Sequence, residues 1–240
     1  MICCGGGGAE GDRTPDLVIA NDALSQLSYG PTRAGPVAPG AGVVNGAAPV
    51  LAGAMRGAVC FGYGSLVNGV THAYPGLRAA RLDGWGRGWR RAPGRRVSLL
   101  TALPGGNGID GALAIVPGGD WAALDAREAS YARHPARARS GTEDVAAAVY
   151  AVTAPVPSEG APILMSYLEV VVQGFLDLHG AGGATRFFAE TDGWEAPVFD
   201  DRAAPLYPRH VPPSAEASRV LADGLEGVGA RFGRPPEGWP

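Results

Sequence analysis

The sequence contains no lysine, and all 20 of its basic residues are arginines. Acidic residues slightly outnumber them, which gives a formal net charge of −3 and an isoelectric point of about 5.8. A general nucleic-acid binder needs a basic surface to meet the phosphate backbone. The charge balance therefore argues against nucleic acid as a partner.

Cysteine and histidine are scarce. The three cysteines are Cys3, Cys4 and Cys60, they form no C-x-x-C pair, and the four histidines are scattered along the chain. This pattern is not that of a disulfide scaffold or of a cysteine-based zinc site. We therefore predict no metal ion, and we expect the reducing cytoplasm as the location.

The sequence also lacks a long apolar run. Residues 34–55 carry no charge, but glycine and proline interrupt them and large apolar side chains are few. A membrane-spanning helix needs about 20 consecutive, predominantly apolar residues. The first residues show no basic segment followed by an apolar core, so we expect neither a secretory signal nor a membrane as partner.

Glycine and proline are abundant, with 38 and 21 residues among 240. They dominate residues 1–57, where no apolar period is sustained, and this composition predicts a low-complexity or disordered extension. Our hypothesis is that Met55 is the natural start. Patterned sequence begins at residue 58, so we predict one domain over residues 58–232 and a flexible tail over residues 233–240.

Four short segments have the composition of strands, namely residues 58–61, 97–103, 109–116 and 145–152. Asn107-Gly108 lies between the second and the third, and this dipeptide is typical of a tight hairpin turn. Hairpin connections favour antiparallel pairing. We therefore predict an α+β fold rather than a parallel α/β sheet.

Three helices are predicted, over residues 120–134, residues 166–180 and about residues 214–231. Asp120 is placed to cap the first helix, and Pro135 follows its predicted end. Ser166 and Glu169 have the spacing of a capping box for the second helix, and Gly180 is placed to end it.

Glu128 is the strongest candidate for acid/base chemistry. In the first predicted helix it shares a face with Leu124 and Tyr131, which should point to the core. A carboxylate on that face loses hydration, and its pKa should rise toward the range useful for proton transfer. The alternative is a structural glutamate paired with an arginine such as Arg127.

The stretch C-F-G-Y-G-S-L-V-N-G (60–69) places two glycines around Tyr63, directly after a predicted strand. It lacks the G-x-G-x-x-G spacing and the G-K-[ST] motif of nucleotide-binding loops. Backbone N–H groups around Gly64, Ser65 and Leu66 could bind a carboxylate or an oxyanion. The alternative interpretation is a tight turn with no ligand.

Taken together, F-G-Y-G-S-L and the later L-D-A-R-E-A-S-Y resemble the gamma-glutamylcyclotransferase family, and most of all its bacterial members related to the ChaC type. The resemblance covers about residues 58–225. It implies a small, mostly antiparallel β-barrel with helices packed around it. It also implies that Tyr63-Gly64-Ser65-Leu66 binds the gamma-glutamyl group and that Glu128 is the catalytic acid/base.

The reaction implied by this resemblance is intramolecular and needs no cofactor. The α-amine of a gamma-glutamyl compound attacks its own γ-carbonyl, which closes the ring of 5-oxoproline and expels an amine. Residues 160–225 match the glutathione-specific members only loosely, so the identity of this small-molecule substrate stays open. A non-catalytic protein that binds a small acidic metabolite on the same fold is the second hypothesis.

Several other residues have more than one interpretation. Tyr131 either lines the pocket and orients Glu128 or packs in the core. The arginines at positions 87, 90, 91, 95 and 96 either form a solvated strand face, bind nucleic acid or, for one of them, meet a substrate carboxylate. We predict the solvated face for them, a salt-bridged turn for residues 200–202, and a buried apolar role for Cys60.

Overall fold

The computed structural model describes residues 57–158 and 160–233. Residues 1–56 and 234–240, on which the predicted extension, the proposed start at Met55 and the predicted tail fall, lie outside the described residues. No helix in the described part of the chain is long and apolar enough to cross a membrane.

The described ranges contain eleven strands and three α-helices. The strands are β1 (Val59–Gly62), β2 (Arg78–Leu82), β3 (Trp85–Arg90), β4 (Leu99–Pro104), β5 (Ile109–Ile115), β6 (Tyr131–Ser140), β7 (Glu143–Val152), β8 (Ile163–Leu164), β9 (Thr191–Asp192), β10 (Val198–Phe199) and β11 (Phe232–Gly233). The helices are α1 (Trp121–Arg127), α2 (Met165–Ala189) and α3 (Ala215–Gly227).

Five strands form a closed barrel in the order β1-β5-β2-β6-β7. All its pairs are antiparallel except the closing pair of β1 with β7, which is parallel and joins Cys60 to Ala148 and Phe61 to Val149. The other strands form two three-stranded sheets, in the orders β4-β3-β9 and β11-β10-β8. The prediction of an α+β fold with a small, mostly antiparallel barrel is confirmed.

The core joins the inward faces of the barrel strands to α2. Phe61, Leu113 and Val149 are buried inside the barrel, and Leu168 and Phe175 of α2 belong to the same cluster. Burying one such side chain contributes about 1.5–3 kcal/mol relative to leaving it exposed. This packing fixes the first turns of α2 against the barrel and thereby positions the site described below.

The hairpin predicted at Asn107-Gly108 does not form. β4 pairs with β3, whereas β5 pairs with β1 and β2, so the two segments belong to different sheets. A glycine in this connection allows two backbone segments to cross at close distance. A Cβ atom on Gly106 would collide with the main chain of Gly86. Gly108 adopts a φ of 99°, which a residue with a side chain rarely adopts.

The first helix is shorter than its pattern predicted. Asp120 caps it as expected, with its carboxylate accepting N–H groups of the first turn, but α1 ends at Arg127. Tyr131 starts β6 instead, and Pro135 lies inside that strand. The cause is long-range pairing: β6 is paired with β7 over ten residues, which outweighs local helix preference.

The capping box predicted for α2 is wrong. The helix begins at Met165, and the backbone N–H of Ser166 donates to the carboxylate of Asp201 at 2.8 Å. Glu169 contacts His210 rather than the helix start. Gly180, the predicted end, has a φ of 67° and interrupts the helical geometry, after which the helix continues to Ala189.

Arg87, predicted on a solvated strand face, is fully buried. Its guanidinium donates to the Thr191 hydroxyl at 2.8 Å and to the carbonyl oxygens of Asp110 and Phe187 at 3.0 and 3.3 Å. The guanidinium also lies against the rings of Phe175 and Phe187 in α2, 4.9 and 4.6 Å from their centroids, which leaves it no access to solvent. This arginine ties three elements together and is unavailable to a substrate or to nucleic acid.

The predictions for Cys60 and for residues 200–202 are confirmed. Cys60 is buried in β1, and burial raises the pKa of its thiol to about 11, so it stays a neutral apolar group. Asp200 and Arg202 form an ion pair within an irregular turn. The last helix, α3, begins after Ser214, whose hydroxyl accepts the N–H of Ala217 at 3.1 Å.

Candidate active site

The loop that follows β1 is held by a hydrogen bond at each end, one to the barrel and one to α2. The Tyr63 hydroxyl donates to the carbonyl of Tyr150 in β7 at 2.5 Å. Ser65–Val67 then forms one turn of 3-10 helix, and the Asn68 side chain donates to the carbonyl of Val170 in α2 at 2.9 Å. The backbone of this loop is therefore fixed before any ligand arrives.

Gly64 is a position at which a close approach requires glycine. A Cβ atom there would collide with the hydroxyl oxygen of Tyr167, which projects from the first turn of α2. A backbone N–H of Ser65 acts on that same hydroxyl and partly offsets the large rise in its pKa that burial causes. The Y-G-S-L loop and α2 therefore contact each other at the hydroxyl group of Tyr167.

His72 braces the loop from the other side. The backbone N–H of Tyr74 donates to its Nδ1 at 3.1 Å, so the imidazole proton lies on Nε2, which donates to the carbonyl of Leu66 at 2.9 Å. Burial lowers the pKa of His72, which agrees with this neutral tautomer. The ring is a structural support rather than a base facing a substrate.

Glu128 lies at the end of α1, where the helix gives way to the segment that enters β6. Its side chain is 17% exposed, and its Oε1 accepts a hydrogen bond from Nε of Arg127 at 3.2 Å. The other end of the Arg127 guanidinium reaches the hydroxyl of Ser65 at 3.5 Å. One arginine therefore connects the carboxylate to the Y-G-S-L loop.

The electrostatic balance at Glu128 favours a protonatable carboxyl. Burial raises the pKa of Glu128 above its ordinary value, and the guanidinium groups of Arg127 and Arg209 offset part of that rise. The structure thus contains what each interpretation of Glu128 predicted: its carboxyl is shielded from solvent, and it is paired with an arginine, Arg127. A carboxyl whose pKa is raised in this way takes up a proton more readily than a solvated glutamate does, and it can return that proton.

Tyr131 is close to this group but is not on its helix. As the first residue of β6, it donates its hydroxyl to the carbonyl of Leu100 at 3.1 Å. Burial raises the pKa of Tyr131 well above its ordinary value, and the neighbouring Tyr63 and Glu128 add to the rise. The phenol therefore stays protonated, and its proton is committed to a backbone carbonyl.

Three further residues belong to the site but were not found from the sequence: Tyr167, Tyr207 and Arg209. The rings of Tyr167 and Tyr207 meet edge to face with centroids 5.0 Å apart. Tyr207 and Arg209 come from the irregular segment between β10 and α3. A long proline-rich connection that carries aromatic and charged residues is a common place for functional groups. This composition was the feature of the sequence that could have indicated these residues.

The described residues contain no group of three or more histidine, cysteine, aspartate or glutamate side chains that could hold a metal ion. The chemistry that the arrangement offers is one shielded carboxyl, a fixed loop with backbone N–H donors, neutral phenols and guanidinium groups. These are the components of proton transfer and anion binding.

Neither a protein-family model nor a curated protein matches this chain. Solved structures with a similar fold include YkqA from Bacillus subtilis, at 14% sequence identity and a TM-score of 0.45, where the alignment covers 74% of this chain and 56% of YkqA. The chain thus spans just over half the length of YkqA.

A second similar structure is the yeast gamma-glutamyl cyclotransferase specific to glutathione, at 16% identity and a TM-score of 0.38, covering 72% of this chain and 95% of the yeast enzyme. At these identities the similarity concerns the fold alone.

Proposed function

We propose that this protein is a gamma-glutamylcyclotransferase-like enzyme that releases 5-oxoproline and an amine or peptide from a gamma-glutamyl compound. The observation that carries the proposal is the Ser65–Arg127–Glu128 connection. It brings the Y-G-S-L loop and a shielded carboxyl into one site, although they are about 60 residues apart in the sequence. We place the reaction in the cytoplasm because of the cysteine usage, with glutathione as one candidate substrate.

Glu128 is proposed to move one proton twice. As a base it accepts a proton from the substrate's α-ammonium group. The resulting neutral amine attacks the γ-carbonyl carbon, forms the new C–N bond of the five-membered ring and passes its second surplus proton to the leaving nitrogen. The carbonyl oxygen becomes an oxyanion. When it collapses, the bond to the leaving nitrogen breaks, and Glu128 returns the proton to that nitrogen, so that atoms and charge balance.

The Y-G-S-L loop is proposed to bind the substrate in a bent conformation. Backbone N–H groups of residues 63–66, other than that of Ser65, which is engaged by the Tyr167 hydroxyl, would receive the α-carboxylate or the oxyanion. Their fixed geometry would avoid a reorganisation cost during the reaction. Tyr63 and Leu66 are proposed to shape the loop from its buried side. Tyr131 is proposed to form a wall of the pocket rather than to transfer protons, because its hydroxyl is committed to Leu100.

Replacement of Glu128 by glutamine tests the proposal. The amide keeps the size of the side chain but cannot accept the amine proton, so 5-oxoproline release should fall by about 100- to 10,000-fold. Release is measured chromatographically with a panel of gamma-glutamyl compounds. Asp144→Asn is the matched control, because that carboxylate is paired on the surface with Arg137 and should be dispensable.

The Arg127–Glu128 ion pair is also what the alternative, a non-catalytic metabolite-binding protein, would contain. The same panel separates the two functions. Release of 5-oxoproline by the wild type and its loss in Glu128→Gln support the enzyme. Binding of the panel compounds without any release would leave the binding protein, and full turnover by Glu128→Gln would remove Glu128 from its role.

A further inference from the structure

Glu128 lies between two attachments to β7, one on each side of it in the sequence. Three residues before it, the carboxylate of Asp125 accepts a hydrogen bond from the Tyr150 hydroxyl at 2.5 Å. Three residues after it, Tyr131 opens β6 and is paired with Val152. Because Tyr150 and Val152 are only two positions apart in β7, a short stretch of this one strand fixes both ends of the segment that carries Glu128.

Helix α1 depends on such contacts for its position. It is seven residues long, and among these described residues Leu124 alone is buried. An isolated helix of this length is not stable in water. Leu124 belongs to a small apolar cluster with Cys60 and Tyr150, which keeps the helix on the barrel. Apolar packing is non-directional, however, whereas the hydrogen bond from Tyr150 to Asp125 fixes the direction in which the helix lies.

Arg133 also contacts α1, but from the solvent side. Its guanidinium lies 3.5 Å from the second carboxylate oxygen of Asp125 and 4.3 Å from the ring centroid of Trp121. The side chains of Arg133 and Asp125 are 35% and 45% exposed, and ion pairs between exposed side chains contribute little. The ion pair is therefore a weaker support for α1 than the hydrogen bond from below.

Tyr150 is suited to this hydrogen bond because it is buried and remains a donor. Burial, followed by the hydrogen bond to Asp125, raises the pKa of Tyr150, so the phenol keeps its proton. The same residue also holds the Y-G-S-L loop, since its backbone carbonyl accepts the Tyr63 hydroxyl at 2.5 Å. One residue thus contacts both parts of the site, through two different groups.

Resting on the function proposed above, we propose that Tyr150 is a positioning residue that sets the place of Glu128 relative to the Y-G-S-L loop. Its hydroxyl holds α1, and its carbonyl holds the loop. A substitution that changes only the side chain therefore separates the two contacts.

Tyr150→Phe is that substitution, because it removes the hydroxyl and keeps the ring, the carbonyl and the bond from Tyr63. Glu128 should lose its position while the loop stays in place, so kcat should fall by about 10- to 100-fold and KM should change by less than about 2-fold. The acidic limb of kcat/KM should move to lower pH. The reason is that a released helix admits water to the Glu128 carboxyl, whose pKa is raised by burial.

Substitutions of Asp125 test the same hydrogen bond from its other partner. Asp125→Ala should reproduce the fall in kcat. Asp125→Asn should retain most of kcat, because the amide oxygen still accepts the Tyr150 hydroxyl although the ion pair with Arg133 is lost. In Tyr150→Phe/Asp125→Ala the fall should be close to that of either single variant, since both remove one bond. Asp125 is exposed, so Asp125→Ala decides the question where Tyr150→Phe fails to fold.

Ser140→Ala is the matched control. It also removes one hydroxyl donor, which bonds to the carbonyl of Ala79 at 2.8 Å, but it lies at the opposite end of β6 from Tyr131. It should keep the wild-type kcat and acidic limb even if it lowers stability in urea. The proposal is overturned if Tyr150→Phe and Asp125→Ala keep both, if their loss is confined to KM, or if Ser140→Ala loses as much kcat.

Failure of the proposed function would be seen separately. If the wild type releases no 5-oxoproline from any gamma-glutamyl compound, the pKa of the Glu128 carboxyl replaces the kinetics. It is measured by carbon NMR titration, with Glu128→Gln to assign the signal. A pKa closer to the ordinary glutamate value in Tyr150→Phe, but not in Ser140→Ala, supports the positioning role although the enzyme proposal has failed. An unchanged pKa in Tyr150→Phe rejects it.

Discussion

Replacement of Gly64 by alanine probes how closely the loop and α2 meet. The new methyl group would collide with the hydroxyl oxygen of Tyr167, while its other neighbours, the Leu100 side chain at 3.5 Å and the Tyr167 ring carbon at 3.7 Å, are at ordinary contact distances. The collision therefore involves a single atom. Because the loop is tied at both ends, it cannot move away freely, and overpacking of this kind costs about 1–3 kcal/mol.

A double-mutant cycle isolates that atom. Tyr167→Phe removes the hydroxyl and should cost about 1 kcal/mol on its own, for a lost hydrogen bond. In Gly64→Ala/Tyr167→Phe the methyl group meets only the Leu100 side chain and the ring carbon, both at contact distance, so the double variant should be little less stable than Tyr167→Phe. The expected coupling energy is about 2 kcal/mol, within the range seen for residues in contact.

Urea unfolding followed by circular dichroism provides the free energies, with thermal unfolding as a second measure at about 2–4 °C for each kcal/mol. Gly227→Ala is the control, because a Cβ atom there meets nothing within 4 Å. It should change stability by less than about 1 kcal/mol. Additive losses in the double variant would refute the close approach of Gly64 to Tyr167.

Three other predictions follow from the site and its supports. The acidic limb of kcat/KM should lie above the ordinary glutamate pKa, because burial raises the pKa of Glu128 and the base must be ionised. Wild-type stability should fall as pH drops below 6.5, because the lowered pKa of His72 means that the unfolded chain binds a proton first; His72→Gln should lack this part of the fall in urea titrations. Arg87→Met should lower the free energy of unfolding by about 2–4 kcal/mol, because three buried acceptors lose their donor.

Each of these has a contrary outcome. An acidic limb at the ordinary glutamate pKa would show that Glu128 is not shielded when the enzyme works. Identical pH profiles of stability in the wild type and His72→Gln would remove the histidine as a neutral brace. A loss below about 1 kcal/mol in Arg87→Met would show that water or neighbouring side chains satisfy the acceptors.

The sequence was sufficient for the features that depend on local pattern. Asp120 caps α1 as predicted, the strand at 145–152 forms within β7, and the strand before Tyr63 leads into the loop. Glu128 and the loop could be proposed together because two short motifs occur in a recognisable order. Local pattern and motif order are properties that a single sequence displays directly.

The misassignments come from interactions between distant residues. Residues 131–134 continue a helical pattern but form β6, because pairing with β7 outweighs local preference. Asn107-Gly108 indicates a hairpin, yet the strands around it find partners in different sheets. Arg87 could not be recognised as buried, since its three acceptors come from residues 110, 187 and 191.

The parallel pairing of β1 with β7 has a consequence for folding. It joins Cys60 to Ala148, so the chain between them must be gathered before the barrel can close, and such non-local closure is slow compared with hairpin formation. The hydrogen bond from Tyr63 to Tyr150 lies just beyond this seam. The loop therefore gains its fixed shape only when the first and last barrel strands pair. A nascent or partly unfolded chain does not contain a partly formed site.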